Sequence, residues 1–190
     1  HKILEIINKY HCELICDIEL FYQQYHQNYS FIGITGTNGK STVTSLCGAI
    51  AAETGRPFFC GGNLGTPLIE AVFTEAATNH GIVVCEISSF QLETAETLHC
   101  QAAAILNVTA DHLDRYPSLT AYGDAKARIA HHQTSKDILV LNADDAEVRA
   151  LYKRNFGQKS ALYFSSKSGA REATGWAEIP HGFVDGDKLV

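Results

Sequence analysis

Between Ile34 and Ser45 the chain reads ITGTNGKSTVTS, and a lysine followed by two hydroxyl residues after a glycine turn suits one task, the binding of phosphate. Glycine lets the main chain approach an anion, successive amide N–H groups point inward, and a following helix adds the partial positive charge of its N-terminus. In this reading Gly36, Thr37, Asn38, Gly39, Lys40, Ser41 and Thr42 form the cradle, Lys40 reaches the outer phosphates, and the Ser41 hydroxyl ligates Mg2+. The loop is a variant of G-x-x-x-x-G-K-[ST]: Ile34 stands at the first glycine position, with Gly33 and Gly36 on either side. A glycine turn followed by a chance Lys-Ser is the bland alternative. The flanks favour the phosphate reading, because FIGIT before the loop reads as a buried strand, and Val43, Leu46, Cys47 and Ile50 after it fall at i, i+3, i+4 and i+7 of a helix.

Three further residues carry chemistry. Glu86 closes the apolar run Ile82-Val83-Val84-Cys85, where a nucleotide site needs a metal-side carboxylate; a surface acid at a strand end is the alternative. His112, in TADHLD after the run AAAILNV, falls at the same carboxyl edge of the sheet, or else caps its turn with Asp114. Lys126 is the geometric oddity. At 100° per residue, Leu119, Tyr122, Lys126 and Ile129 lie within about 80° of one another, with Arg128 opposite, so the lysine sits on the apolar stripe of its helix. Burial disfavours the ammonium and lowers its pKa by about 3–5 units when complete. Either the stem packs while the amine snorkels to water or a carboxylate, or a partly neutral amine takes up CO2 as a carbamate, an anion able to hold Mg2+.

These groups need a scaffold, and the sequence predicts an α/β fold with a mostly parallel sheet flanked by helices. Apolar strand runs at 31–35, 57–60, 82–87, 102–108 and 138–142 alternate with helical patterns at 43–50, 68–76, 118–131 and 144–153. Before Ser30 come a helix at 3–8, a brief CELIC strand and a helix from Asp17; we read residues 1–29 as the end of a preceding domain and 30–190 as an incomplete ATP-binding domain. From Ala161 the pattern turns to a small β-rich tail, in which Trp176 reads as packing.

With 45% apolar residues in 190, the chain has material for a real core. A net charge of −6 argues against a nucleic-acid or anionic-membrane surface as the main partner, so any phosphate site is local. Six scattered cysteines without a C-x-x-C pair read as reduced, no run approaches membrane-spanning length, and the start lacks a signal-peptide plan; together these point to the cytoplasm.

GTNGKST, GGNLGTP, CEISSFQLE, ILNVTADHLDRY and YGDAKARI, in this order, resemble the central domain of the Mur ligases. SSFQLE and DIELF are similar to the blocks of members that add D-glutamate to UDP-N-acetylmuramoyl-L-alanine in peptidoglycan synthesis. The resemblance implies an ATP- and Mg2+-dependent ligase that makes an acyl phosphate from the substrate carboxylate and resolves it with the amino acid. It implies a monomeric parent enzyme whose partners are these small molecules. It also implies roles: Lys40 on the transferring phosphoryl group, Ser41 and Glu86 on Mg2+, His112 on a second Mg2+ beside the substrate, and Lys126 as a carbamylated lysine. Asn63, Ser88, Gln91 and His112 are implied on the substrate side. The resemblance leads us to expect a fragment without the family's C-terminal domain and inactive on its own. The rivals are another Mur-type or folylpolyglutamate ligase, a small-molecule kinase, and a nucleotide switch module; the last would want an Asn-Lys-x-Asp after a strand, which the chain lacks.

Overall fold

Six strands, β1 (Tyr29–Thr35), β2 (Phe58–Gly62), β3 (Gly81–Glu86), β4 (Ala102–Ile105), β5 (Ile138–Asn142) and β6 (Leu162–Phe164), pair in parallel in the order β2-β3-β1-β4-β5-β6. The computed structural model describes residues 2–25, 29–63, 65–77, 80–157, 159–166, 184–185 and 188–189. Helices α1 (Lys2–Tyr10), α2 (Asp17–Tyr25), α3 (Lys40–Glu53), α4 (Ser89–Leu92), α5 (Leu119–Ala127) and α6 (Ala146–Asn155) connect or precede the strands. The strand order reverses about β1, which pairs with β3 on one side and β4 on the other. Open α/β sheets bind ligands at the carboxyl ends of strands at such a point.

Side-chain alternation distributes the core. Phe31, Val83, Cys85, Ala103, Ile105, Leu139 and Leu141 face one way and join Ile18 and Phe21 of α2, Tyr22, Tyr122, Ile129 and Leu151 in the main core. Ile34, Ile82, Val84 and Ala104 face the other way, where Val43, Cys47 and Ala51 of α3 meet them. Glu86 shares the parity of Ile82 and Val84 and so stands on the α3 side.

The predicted stripe of α3 is only half used. Val43 and Cys47 are partly buried, but Leu46 and Ile50 are 59% and 68% exposed, and the buried positions are Thr44, Gly48 and Ala51. Small residues win because α3 lies close to β2: a Cβ at Gly48 would stand 2.6 Å from Cys60 Sγ and 2.9 Å from its Cβ. Gly48→Ala is therefore expected to lower the melting temperature, since overpacking of about 1–3 kcal/mol exceeds the ~1 kcal/mol helical gain; an unchanged or higher melting temperature would contradict the close approach.

Three local expectations need correction. CELIC is not a strand: the segment links α1 to α2, Cys16 donates its thiol hydrogen to Gln91 O, and a strand without a neighbour would leave its amides unpaired. The helix expected over 68–76 is a pair of 3-10 turns, Leu68–Phe73 and Glu75–Ala77, whose buried Leu68 and Ala71 follow the three-residue period, with Thr74 N and Oγ1 closing on Ala71 O. Strand β4 stops at Ile105, earlier than the apolar run to Val108. In the tail, β6 joins the main sheet, while β7 (Val184–Asp185) and β8 (Lys188–Leu189) pair antiparallel. Trp176 lies outside the described residues.

Candidate active site

The loop after β1 has the backbone that glycine permits. Gly36 and Gly39 have φ of 157° and 82°, and a Cβ on Gly36 would stand 3.0 Å from Leu106 Cβ. Helix α3 starts at Lys40, and its first backbone bond runs from Val43 N to Gly39 O, so the amides of Lys40, Ser41 and Thr42 precede the intrahelical ladder at the positive end of the helix.

Not every loop amide faces inward. Thr37 N and Asn38 N donate to Asn107 Oδ1 at 3.0 and 2.8 Å, and Asn107 Nδ2 donates to Asn38 O at 2.9 Å. The anion-facing set is thereby narrowed to the amides from Gly39 onward. Asn107 escaped the sequence reading although it interrupts a buried apolar run, between Leu106 and Val108, where a carboxamide needs partners; that is the signal that marks it.

Lys40 and Lys126 converge. Lys40 Nζ donates to Gly36 O at 3.0 Å and Thr37 O at 2.8 Å, and Lys126 Nζ reaches the same Gly36 O at 2.9 Å from α5. Lys126 is 1% exposed, and its amine does not snorkel. It lies 4.2 Å from the centre of the Tyr122 ring, a cation–π contact. Burial first, and the Lys40 charge second, bring its pKa down to about 7, with Asp111 acting in the opposite direction. Two amines on one carbonyl create an electropositive centre beside the start of α3.

Glu86 is buried at the end of β3. Its Oε1 accepts from Asn63 Nδ2 at 3.0 Å, and its main-chain oxygen accepts from Asn63 N at 2.9 Å, so Asn63 orients the carboxylate. Ser41 and Glu86 thus offer a hydroxyl and an oriented carboxylate, a donor set that fits a hard cation taking its remaining oxygens from phosphate and water.

His112 is half-exposed, at φ 52°, with its ring 5.0 Å from Phe90 and edge-on to Tyr122 at 6.1 Å. Its Nε2 lies 3.6 Å from Asp111 Oδ2, so the neighbouring carboxylate is Asp111 and not Asp114. Tyr122 therefore links His112 to Lys126. Ser88 and Gln91 form the capping box of α4: Ser88 Oγ accepts from Gln91 N at 3.3 Å, Ser88 N donates to Gln91 Oε1 at 3.1 Å, and Gln91 Nε2 donates to Asp17 Oδ1 at 3.3 Å. They stand just beyond Glu86 and tie α4 to the start of α2.

All of these residues follow the carboxyl ends of β1, β2, β3 and β4 or line α5 beside them. The sequence model of the Mur ligase middle domain matches residues 34–186. A UDP-N-acetylmuramoylalanine--D-glutamate ligase of Myxococcus xanthus is 50% identical over 140 residues, which cover 72% of this chain and 29% of that protein. The corresponding ligase of Koribacter versatilis is 44% identical over 159 residues, 83% of this chain and 32% of that one. The chain thus spans about a third of the length of the curated relatives it matches. Among solved structures, a UDP-N-acetylmuramoyl-L-alanyl-D-glutamate--2,6-diaminopimelate ligase superposes with a TM-score of 0.59 at 26% identity, over 80% of this chain and 35% of its own. MurF from Thermotoga maritima, in complex with ADP, superposes with a TM-score of 0.58 at 21% identity over the same shares. A phosphate loop at the switch point of a parallel sheet, a buried lysine turned onto it and a family match over most of the chain lead to one conclusion: the chain belongs to the Mur ligase family.

Proposed function

We propose that this chain is the ATP-handling part of a ligase that joins D-glutamate to UDP-N-acetylmuramoyl-L-alanine in the cytoplasm during peptidoglycan synthesis. The observation that carries the ATP reading is the meeting of Lys40 and Lys126 on Gly36 O beside the N-terminus of α3. The choice of amino acid is supported by relatives at 41–52% identity, each named as a D-glutamate ligase.

The chemistry must bring a substrate carboxylate to the γ-phosphate of ATP, two anions that repel. The amides from Gly39 to Thr42 hold the phosphates, and Lys40 leaves its loop carbonyls for the transferring group. Ser41 and Glu86 would hold Mg2+, with Asn63 fixing the carboxylate; bound there, the ion supplies charge neutralisation between the phosphate oxygens. His112 and Lys126 face the substrate side, where a carbamate on Lys126 would turn a cation into a metal-holding anion; an amine with a pKa near 7 has the neutral fraction that CO2 uptake requires. Asn63, Ser88 and Gln91 border the approach of the muramoyl-alanine carboxylate. Attack gives an acyl phosphate, and the D-glutamate amine displaces phosphate to leave an amide. The preceding and following domains of the full-length ligase would hold the uridine diphosphate end and deliver the amino acid.

Phosphate release by the full-length ligase tests this reading. It is expected with ATP, UDP-N-acetylmuramoyl-L-alanine and D-glutamate together; equal release with diaminopimelate or L-lysine in place of D-glutamate would overturn the substrate assignment. Glu86→Gln keeps the shape and removes the charge, so it is expected to cut turnover about 100-fold or more, with partial recovery at high Mg2+; turnover within a few-fold of wild type would remove Glu86 from the metal side.

A further inference from the structure

Beyond the bonds from Lys40 to its own carbonyls, the phosphate loop is shaped from outside. Its crest hangs from residues 106–109, which continue past the end of β4, about seventy positions later in the chain. Thr37 N is shared between Asn107 Oδ1 and Asn107 O, both at 3.0 Å, Asn38 is gripped by the same carboxamide at N and O, and Thr37 Oγ1 accepts from Thr109 N at 3.1 Å. This segment is bolted down in turn, to β1 on one side and to β5 and the cap of α6 on the other. Leu106 N donates to Thr35 O at 3.0 Å, Asn142 Nδ2 donates to Leu106 O at 2.9 Å, and Val108 N donates to Asp145 Oδ2 at 3.0 Å. Asp145 is also the N-cap of α6, through Glu147 N and Val148 N. The loop is thus referenced to β5 and α6, elements that share no sequence proximity with it.

We infer that Asn107 is the positioning residue of the phosphate site, an assignment that rests on the ATP reading above. Asn107 takes the Thr37 and Asn38 amides out of the anion-binding set and freezes the crest, so that the amides from Gly39 onward are aimed before nucleotide arrives. A glycine loop without this clamp has to be ordered at the moment of binding, which weakens affinity without new contacts being lost. Because Thr109 and the following His112 leave the same segment, the clamp also sets the distance between the phosphate loop and the substrate-side histidine.

The test uses the full-length ligase with Asn107→Ala and Asn107→Asp. Alanine removes all three side-chain bonds; aspartate keeps the acceptor for Thr37 N and Asn38 N but opposes Asn38 O with a carboxylate, which serves as the second variant if alanine fails to fold. Either variant is expected to raise KM for ATP about 10- to 100-fold, with KM for D-glutamate within about threefold and a melting temperature close to wild type without nucleotide. The rise in melting temperature given by Mg2+-ADP to wild type should shrink correspondingly. A folded variant with KM for ATP within twofold of wild type, or one whose three substrate KM values are unchanged while kcat falls with the folded fraction, would overturn the inference and make Asn107 a residue of strand stability alone. Wild-type ligase that binds no adenine nucleotide would instead overturn the ATP reading itself, so the two failures are distinguishable.

Discussion

Replacing Lys126 with methionine is expected to abolish ligation and at the same time make the fold more stable, with a larger gain at pH 6 than at pH 9. The amine is 1% exposed, and burial beside Lys40 brings its pKa to about 7 from an ordinary 10.5. Below pH 7 the amine is protonated in both the folded and unfolded states, and the folded state bears the full cost of a buried ammonium. Between about 7 and 10.5 the folded amine is neutral while the unfolded one still binds a proton, so stability rises with pH and the cost fades. An apolar chain of similar length removes that cost, a gain of about 2–4 kcal/mol at pH 6 that diminishes toward pH 10. Thermal melts across this range check the sign, and a destabilised Lys126→Met at pH 6 would show that the Gly36 O and Tyr122 contacts outweigh burial. Activity is the opposite measurement: loss of at least 1,000-fold is expected, as for removal of a central charge-stabilising group. With Lys126→Ala, an added short carboxylate such as acetate should restore part of the rate if an anion is what the site needs; equal rates with and without it would count against a carbamate. A buried lysine that costs stability while serving the reaction fits the trade of stability for function.

Lys40→Ala is expected to remove ATP turnover, by about 1,000-fold in kcat/KM for ATP, with the fold intact. The fold survives because the crest of the loop is held by Asn107, and Gly36 O keeps its bond from Lys126. Removing one of two ammonium groups also relieves their repulsion, so the Lys126 pKa should move back up. Steady-state kinetics with varied ATP, together with melting curves, separate the two effects; turnover within a few-fold of wild type would refute a phosphate role for Lys40, and collapse of the fold would show that the loop depends on its amine for shape.

The sheet was legible because its strands are short apolar runs, fully buried in β3 and buried on at least one face in β5, which agrees residue for residue with ILVLN. Lys126 was legible for a related reason: 3.6-residue periodicity put a charged residue among Leu119, Tyr122 and Ile129, and all three partners are at least partly buried with it. The place of Glu86 at the end of a buried strand was legible from the apolar run before it. What local pattern could not give is contact between distant segments. Asn107 acts on Thr37 and Asn38 only because β4 lies beside β1, and nothing near position 107 announces that neighbour. Asp111 was passed over in favour of Asp114 because spacing encodes neither the left-handed conformation at His112 nor the 3.6 Å approach of its ring to the preceding carboxylate. The packing face of α3 went astray because apolar periodicity identifies large residues, whereas closeness to β2 selected Thr44, Gly48 and Ala51.

The most direct test is a crystal structure of the full-length ligase with Mg2+ and a non-hydrolysable ATP analogue. The account predicts the triphosphate on the amides from Gly39 to Thr42, with the Lys40 amine withdrawn from Thr37 O onto the outer phosphate and Glu86 and Lys126 bordering the same space. A triphosphate bound away from this loop, or one that leaves Lys40 on its carbonyls, would contradict it.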